Sequence, residues 1–151
     1  MKTRIWILLA LAWWRNGQAQ TVARPEEARR SIAESHRLYF QAFSGGDSAL
    51  FIDRYTKDCW IMPPNAPALC GEEAPLDLFR EAYYTKGVRN GRFITTDIVG
   101  DAGEFVTEVG FFQLFDAGNN MIDNGKFLVL WKKTQAGWKM FRDSFSSDRD
   151  K

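Results

Sequence analysis

The chain has 151 residues, 26% of them charged, with 20 basic and 19 acidic side chains and a net charge of +1. That length makes one domain with its own core. The near balance of charge, without a basic stripe, excludes a nucleic-acid partner, and two cysteines and one histidine set apart from one another lack the spacing of metal ligands.

The first stretch reads as an export signal. Lys2 and Arg4 precede an apolar run over residues 5–14, and Gly17-Gln18-Ala19 supplies small residues for a cut after Ala19. The run falls short of the ~20 apolar residues of a membrane span. Arg15 beside Trp13 and Trp14 also suits an uncleaved amphipathic anchor. Cleavage leaves residues 20–151 as a single secreted or periplasmic domain of 132 residues, whose 17 basic and 19 acidic side chains give a net charge of −2. Nothing else in it calls for a membrane.

Residues 25–44 predict a helix. Pro25 suits a first turn, Glu26 and Glu27 favour its positive end, and Ala28, Ile32, Ser35, Tyr39, Ala42 and Phe43 recur at spacings of three and four. Gly45-Gly46 stops it, and Asp47 caps a second, short helix carrying Leu50, Phe51 and Tyr55. His36, the single histidine, stands one position off the apolar stripe and reads as a flanking residue with no partner for catalysis.

Residues 58–62 predict a first strand. Cys59 and Cys70 then flank a Pro-rich loop that turns near Pro64-Asn65, which lets the two thiols face each other. In an oxidising compartment they can close a disulfide worth ~2–3 kcal/mol. The alternative is two buried, unpaired thiols. A helix over residues 73–86 follows, with Pro75 in its first turn and Leu76, Phe79 and Tyr83 on one face. Strands are expected over 91–99, 104–115 and 121–133, separated by Gly100-Asp101-Ala102-Gly103 and by Asp116-Ala117-Gly118-Asn119-Asn120.

The closing stretch, residues 125–145, is a hairpin around Thr134-Gln135-Ala136-Gly137. With Trp131 opposite Trp138, Lys126 meets Asp143. One face then carries Phe127, Val129, Trp131, Trp138, Met140 and Arg142, and the other Lys126, Leu128, Leu130, Lys139, Phe141, Asp143 and Phe145. Both faces are largely apolar, so both need cover. The whole is α+β: a cone-shaped, curved antiparallel sheet wrapped around N-terminal helices, with a pocket inside.

The hairpin GKFLVLWKKTQAGWKMFRDSFSSD and the upstream FSGGDSALFIDRYTKDCWIMPPNAPALCGEEA resemble the domain of unknown function 4440 family. These are SnoaL-like relatives of the ketosteroid isomerases in the nuclear transport factor 2-like superfamily. The resemblance spans residues 28–148 and implies a homodimer with the tryptophan face at the interface. On that choice the cavity is lined by Lys126, Leu128, Leu130, Phe141, Asp143 and Phe145, with Phe111, Gln113, Trp60, Met62 and Tyr39 completing the wall. Tyr39 falls where ketosteroid isomerases keep their oxyanion tyrosine. Their catalytic aspartate, however, precedes a proline at the end of the first strand, and here Met62 precedes Pro63.

These features point to an exported protein that binds a small, mostly apolar molecule. Asp143, tuned by burial and by Lys126, would act as acid or base in proton transfer of the isomerase, cyclase or dehydratase type, with Tyr39 donating to an oxyanion. The alternatives are a non-catalytic ligand-binding protein, with Lys126 as counter-ion, and a homo-oligomeric assembly module. No nucleotide loop, nucleophile elbow or metal cluster is present in the sequence, so no cofactor is expected.

Overall fold

A long helix laid against a curved sheet sets the architecture. The computed structural model describes residues 16–149; the expected export signal, residues 1–19, lies outside them except for its last four residues, which begin the first helix. That helix, α1 (Asn16–Gly45), starts upstream of the expected position and carries Pro25 inside it. The proline ring removes one N–H donor without ending the run. Asp47 caps α2 (Ser48–Ile52) by accepting from the Leu50 N–H at 3.0 Å, as its position before a short apolar run suggested. No helix among the described residues is long and apolar enough to cross a membrane.

The strands are β1 (Tyr55–Met62), β2 (Leu69–Cys70), β3 (Asn90–Val99), β4 (Phe105–Phe115), β5 (Met121–Thr134) and β6 (Gly137–Ser147), with α3 (Ala74–Arg80) between β2 and β3. They form one sheet in the order β2-β1-β6-β5-β4-β3. The fold is α+β as expected, but the sheet is mixed. β6 closes on β1 in parallel, which a crossover as long as the one between them permits.

The hairpin pairs differently from the expectation, and the site depends on the difference. Its loop is tighter: Thr134 pairs Gly137, so Trp131 lies opposite Met140 rather than Trp138. That shift of two leaves the faces unchanged near the turn. Phe141 is then an extra residue in β6, because Leu130 pairs Arg142 while Trp131 pairs Met140. A one-residue bulge exchanges the faces beyond it. Asp143 and Phe145 therefore join Val129 and Phe127 on the face that also carries Trp131, Met140 and Trp138.

That face is the inner one. Trp131 is fully buried and Trp138 is 5% exposed, so the tryptophans belong to the core of their own chain and not to the expected dimer interface. The concave side is filled by Phe40, Phe43, Phe51, Phe79, Phe112 and Phe127 from helices and strands alike. Gly110 sits among them because a Cβ there would come within 2.9 Å of the Phe127 ring.

The two cysteines end on opposite sides of the sheet. Cys70 pairs Trp60, not Cys59, so the Cys59 thiol turns inward and Cys70 outward. The expected disulfide is contradicted by this register, and both thiols are free. Burial pushes the Cys59 thiol up to about 11.

Candidate functional site

The inner face of β4 reads Val106, Glu108, Gly110, Phe112, and a carboxylate in that apolar phase needs partners. Glu108 is fully buried and has three. Its Oε1 accepts from the Thr95 hydroxyl at 2.5 Å, and its Oε2 accepts from Trp131 Nε1 at 2.9 Å and from His36 Nε2 at 3.1 Å. An ionised carboxylate accepts only, so His36 Nε2 is the donor of that bond and Nδ1 is the ring nitrogen turned away from Glu108. The ring is wedged against Phe93 at 4.7 Å, Trp131 at 5.9 Å and Phe127 at 6.3 Å. A histidine so oriented by a buried carboxylate has the base-and-orienter arrangement of hydrolytic and proton-transfer sites.

A second carboxylate stands in the same cross-strand row. Glu108 pairs Val129 on one side, and Asp143 pairs Val129 on the other. Two strand spacings place their backbones about 10 Å apart. Asp143 Oδ2 accepts from the Tyr55 hydroxyl at 2.8 Å. Burial pushes the Asp143 carboxyl up to about 6, against the pull of the Tyr55 hydrogen bond and with help from the charge on Glu108. Tyr39 lies beside Tyr55, and burial together with the Asp143 charge drives both phenols well above their ordinary range. Both hydroxyls stay protonated at neutral pH and keep a proton to donate in a hydrogen bond.

One helix reaches toward both carboxylates, with His36 bonded to Glu108 and Tyr39 beside the Tyr55 that holds Asp143. His36 and Tyr39 are three residues apart on α1 and so share a face. Phe93 on β3 touches both, with its ring 4.7 Å from His36 and 5.1 Å from Tyr39. Outside this wall lies a groove of about 500 Å³ lined by His36, Phe40, Phe93, Ser44, Asn90 and Arg92 among others. Asp143, Tyr39 and Tyr55 do not line it. Among the described residues no three His, Cys, Asp or Glu side chains converge as metal ligands would.

No family model and no curated protein sequence matches the chain. Solved structures do. A nuclear transport factor 2-like protein with a cystatin-like fold from Novosphingobium aromaticivorans, 17% identical, matches with a TM-score of 0.70 over 94% of each chain. A ketosteroid isomerase-like protein from Erwinia carotovora atroseptica, 18% identical, gives 0.64 over 83% of this chain and 96% of that one. A domain of unknown function with a cystatin-like fold from Nostoc punctiforme, 14% identical, gives 0.68 over 82% and 78%.

The chain has the nuclear transport factor 2-like, cystatin-like fold. At these identities the likeness establishes the fold alone.

Within that fold the expected wall residues divide by the bulge at Phe141. Asp143, Phe145 and Tyr39 lie inward, Phe145 with its ring 6.1 Å from Phe112. Lys126, Leu128, Phe111, Trp60 and Met62 lie on the outer face, and the last four are among the exposed large apolar side chains. They do not line a cavity within the cone, because the true inner phase of β5 and β4 is the other one. Lys126 pairs with Asp148, so the expected Lys126–Asp143 pair does not form. Gln113 holds the Arg92 guanidinium at 2.6 Å, and Phe141 lies under that of Arg142 at 3.5 Å on the outside.

The residue that sequence reasoning missed is Glu108. Its signal was present: a charge in phase with Val106, Gly110 and Phe112 on an otherwise apolar strand face. That position supplies the partner that His36 lacked.

Proposed function

We propose that this nuclear transport factor 2-like chain is an exported small-molecule-pocket protein that binds a small, mostly apolar carbonyl compound and moves a proton on it. The observation that carries the reading is the His36–Glu108 pair on the wall of the groove. His36 Nδ1 would remove a proton from the carbon next to the carbonyl, and Glu108 would stabilise the imidazolium that forms. The developing enolate oxygen would be met by the polar side chains of the same groove, Asn90 and Arg92, since Tyr39, Tyr55 and Asp143 lie outside it. Returning the proton to a different carbon completes an isomerisation; expelling a leaving group instead gives a dehydratase. Export rests on the pattern of residues 1–19, and the intact mass of periplasmic protein beginning at Gln20 would support it.

The test is deuterium exchange. α-Tetralone in D2O loses its α-proton signal by NMR, and the wild-type protein should accelerate that loss. His36→Asn should lower the catalysed rate by about 10²–10⁴-fold. No acceleration with a panel of cyclic ketones, together with an apolar ligand retained in native mass spectra, would replace this reading with non-catalytic binding.

A second copy of the chain is the proposed macromolecular partner. Support comes from the outer sheet face, where Trp60, Met62, Ile94, Phe111 and Leu128 stand exposed together.

A further inference from the structure

On the other flank of α1 a second groove of about 390 Å³ runs between that helix, the α2–β1 junction and the start of β6. Its wall includes Ser35 and Trp138, whose residues are 3% and 5% exposed. The Ser35 hydroxyl and the Trp138 indole N–H are both buried there without a hydrogen-bond partner. An indole nitrogen donates and never accepts, so what it lacks is an acceptor. Buried donors are nearly always matched, and two unmatched ones on one wall mark a place where an acceptor belongs.

The charges around them favour an anion. Arg54 and Lys139 both bind Asp53, Lys139 Nζ at 2.9 Å, so two cations share one carboxylate. Lys139 is buried, which makes the surplus charge strong at short range. Glu34 also lines the groove; the Arg37 guanidinium holds it through two hydrogen bonds of 2.9 and 2.7 Å, and its charge also reaches Arg54. The lining's cations Arg30, Arg54 and Lys139 thus face the carboxylates Glu34 and Asp53 with a surplus of one positive charge. Arg30 adds a further cation to the lining, with no ion pair among the described residues.

We propose that this groove binds a small oxyanion, a carboxylate or a phosphate, through the Ser35 hydroxyl, the Trp138 indole N–H and the surplus charge of Arg30, Arg54 and Lys139. The site does not depend on the proton-transfer reading, since it shares no residue with the His36 groove. The surrounding donors match oxygen atoms of either anion, and the groove is within the size range of small-ligand sites.

The test follows the indole N–H signals of the ¹⁵N-labelled full chain, with Trp138 assigned by Trp138→Phe, while sodium succinate or sodium phosphate is added against sodium chloride of equal ionic strength. The expected result is a saturable shift of the Trp138 signal with one of the two oxyanions, and which one saturates at lower concentration identifies the ligand class. Ser35→Ala should weaken that binding by about tenfold or more, and the exposed Arg30→Gln by about threefold. Circular dichroism and melting of both variants check that the fold is kept. A Trp138 signal that follows chloride as closely as succinate and phosphate, or a saturable shift indifferent to Ser35→Ala and Arg30→Gln, would overturn the proposal.

Discussion

Glu108 and Asp143 face the same residue, Val129, from opposite sides, so two buried carboxylates share one row of the sheet. Their partners differ. Glu108 is surrounded by an imidazole, an indole N–H and a hydroxyl, whereas Asp143 has the Tyr55 hydroxyl and the neighbouring Tyr39. The two carboxylates therefore sit in different surroundings, and only the one bound to His36 borders the groove through its partner.

Asp143 makes stability fall with rising pH. Its folded carboxyl is pushed up to about 6 from an ordinary 3.8, so between those values the native state holds more protons than the unfolded one. Stability is then lost across that window, by up to about 3 kcal/mol, and is level above it. Asp143→Asn removes the effect. Urea unfolding at pH 4 and pH 7.5 should show the variant gaining on the wild type as pH rises; a pH-independent difference would mean that the carboxyl is not desolvated.

Glu108 is both a structural and a chemical residue. Glu108→Ala strands the Trp131 and Thr95 donors and should cost about 3–5 kcal/mol in denaturant unfolding. Glu108→Gln keeps the shape and should retain most of the stability while reducing ketone exchange by about 10²-fold or more. Equal exchange rates in Glu108→Gln and wild type would remove Glu108 from the chemistry.

The thiols should behave as two free, unequal cysteines. Cys70 is exposed and should react with Ellman's reagent in the native protein, while Cys59, buried with its thiol pushed up to about 11, should react only on unfolding. A count of no thiols in unfolded, unreduced protein would reinstate the disulfide.

The outer face should hold a dimer together. Light scattering after size exclusion is expected to give twice the chain mass for the wild type, and one chain mass for Phe111→Glu combined with Leu128→Glu, since two charges facing their copies across an apolar interface are costly to bury. A wild-type monomer at high micromolar concentration would contradict the proposed partner.

The fold was legible because its signals are local. Asp47 before a short apolar run, Gly-rich breaks between long β-branched strands and the aromatic hairpin each announce an element where it occurs. The site was less so. Which face of β6 holds Asp143 depends on one extra residue at Phe141, and a bulge of that kind leaves no mark in an alternating pattern already apolar on both phases. The pairing of Cys70 with Trp60 likewise turns on a register offset of a single residue. Glu108 was readable as a charge out of place, but its bond to His36 joins residues 72 positions apart and needs the helix docked on the sheet.

The proposed chemistry requires His36 to be a base whose proton is fixed on Nε2 by Glu108, and this chain has a single histidine, so its signal needs no assignment. Long-range ¹H–¹⁵N correlation of the imidazole in ¹⁵N-labelled protein at neutral pH reads the tautomer directly. The expected result is one dominant form, protonated at Nε2 and bare at Nδ1, that becomes a mixture in Glu108→Gln. A proton on Nδ1, or a mixture already present in the wild type, would contradict it.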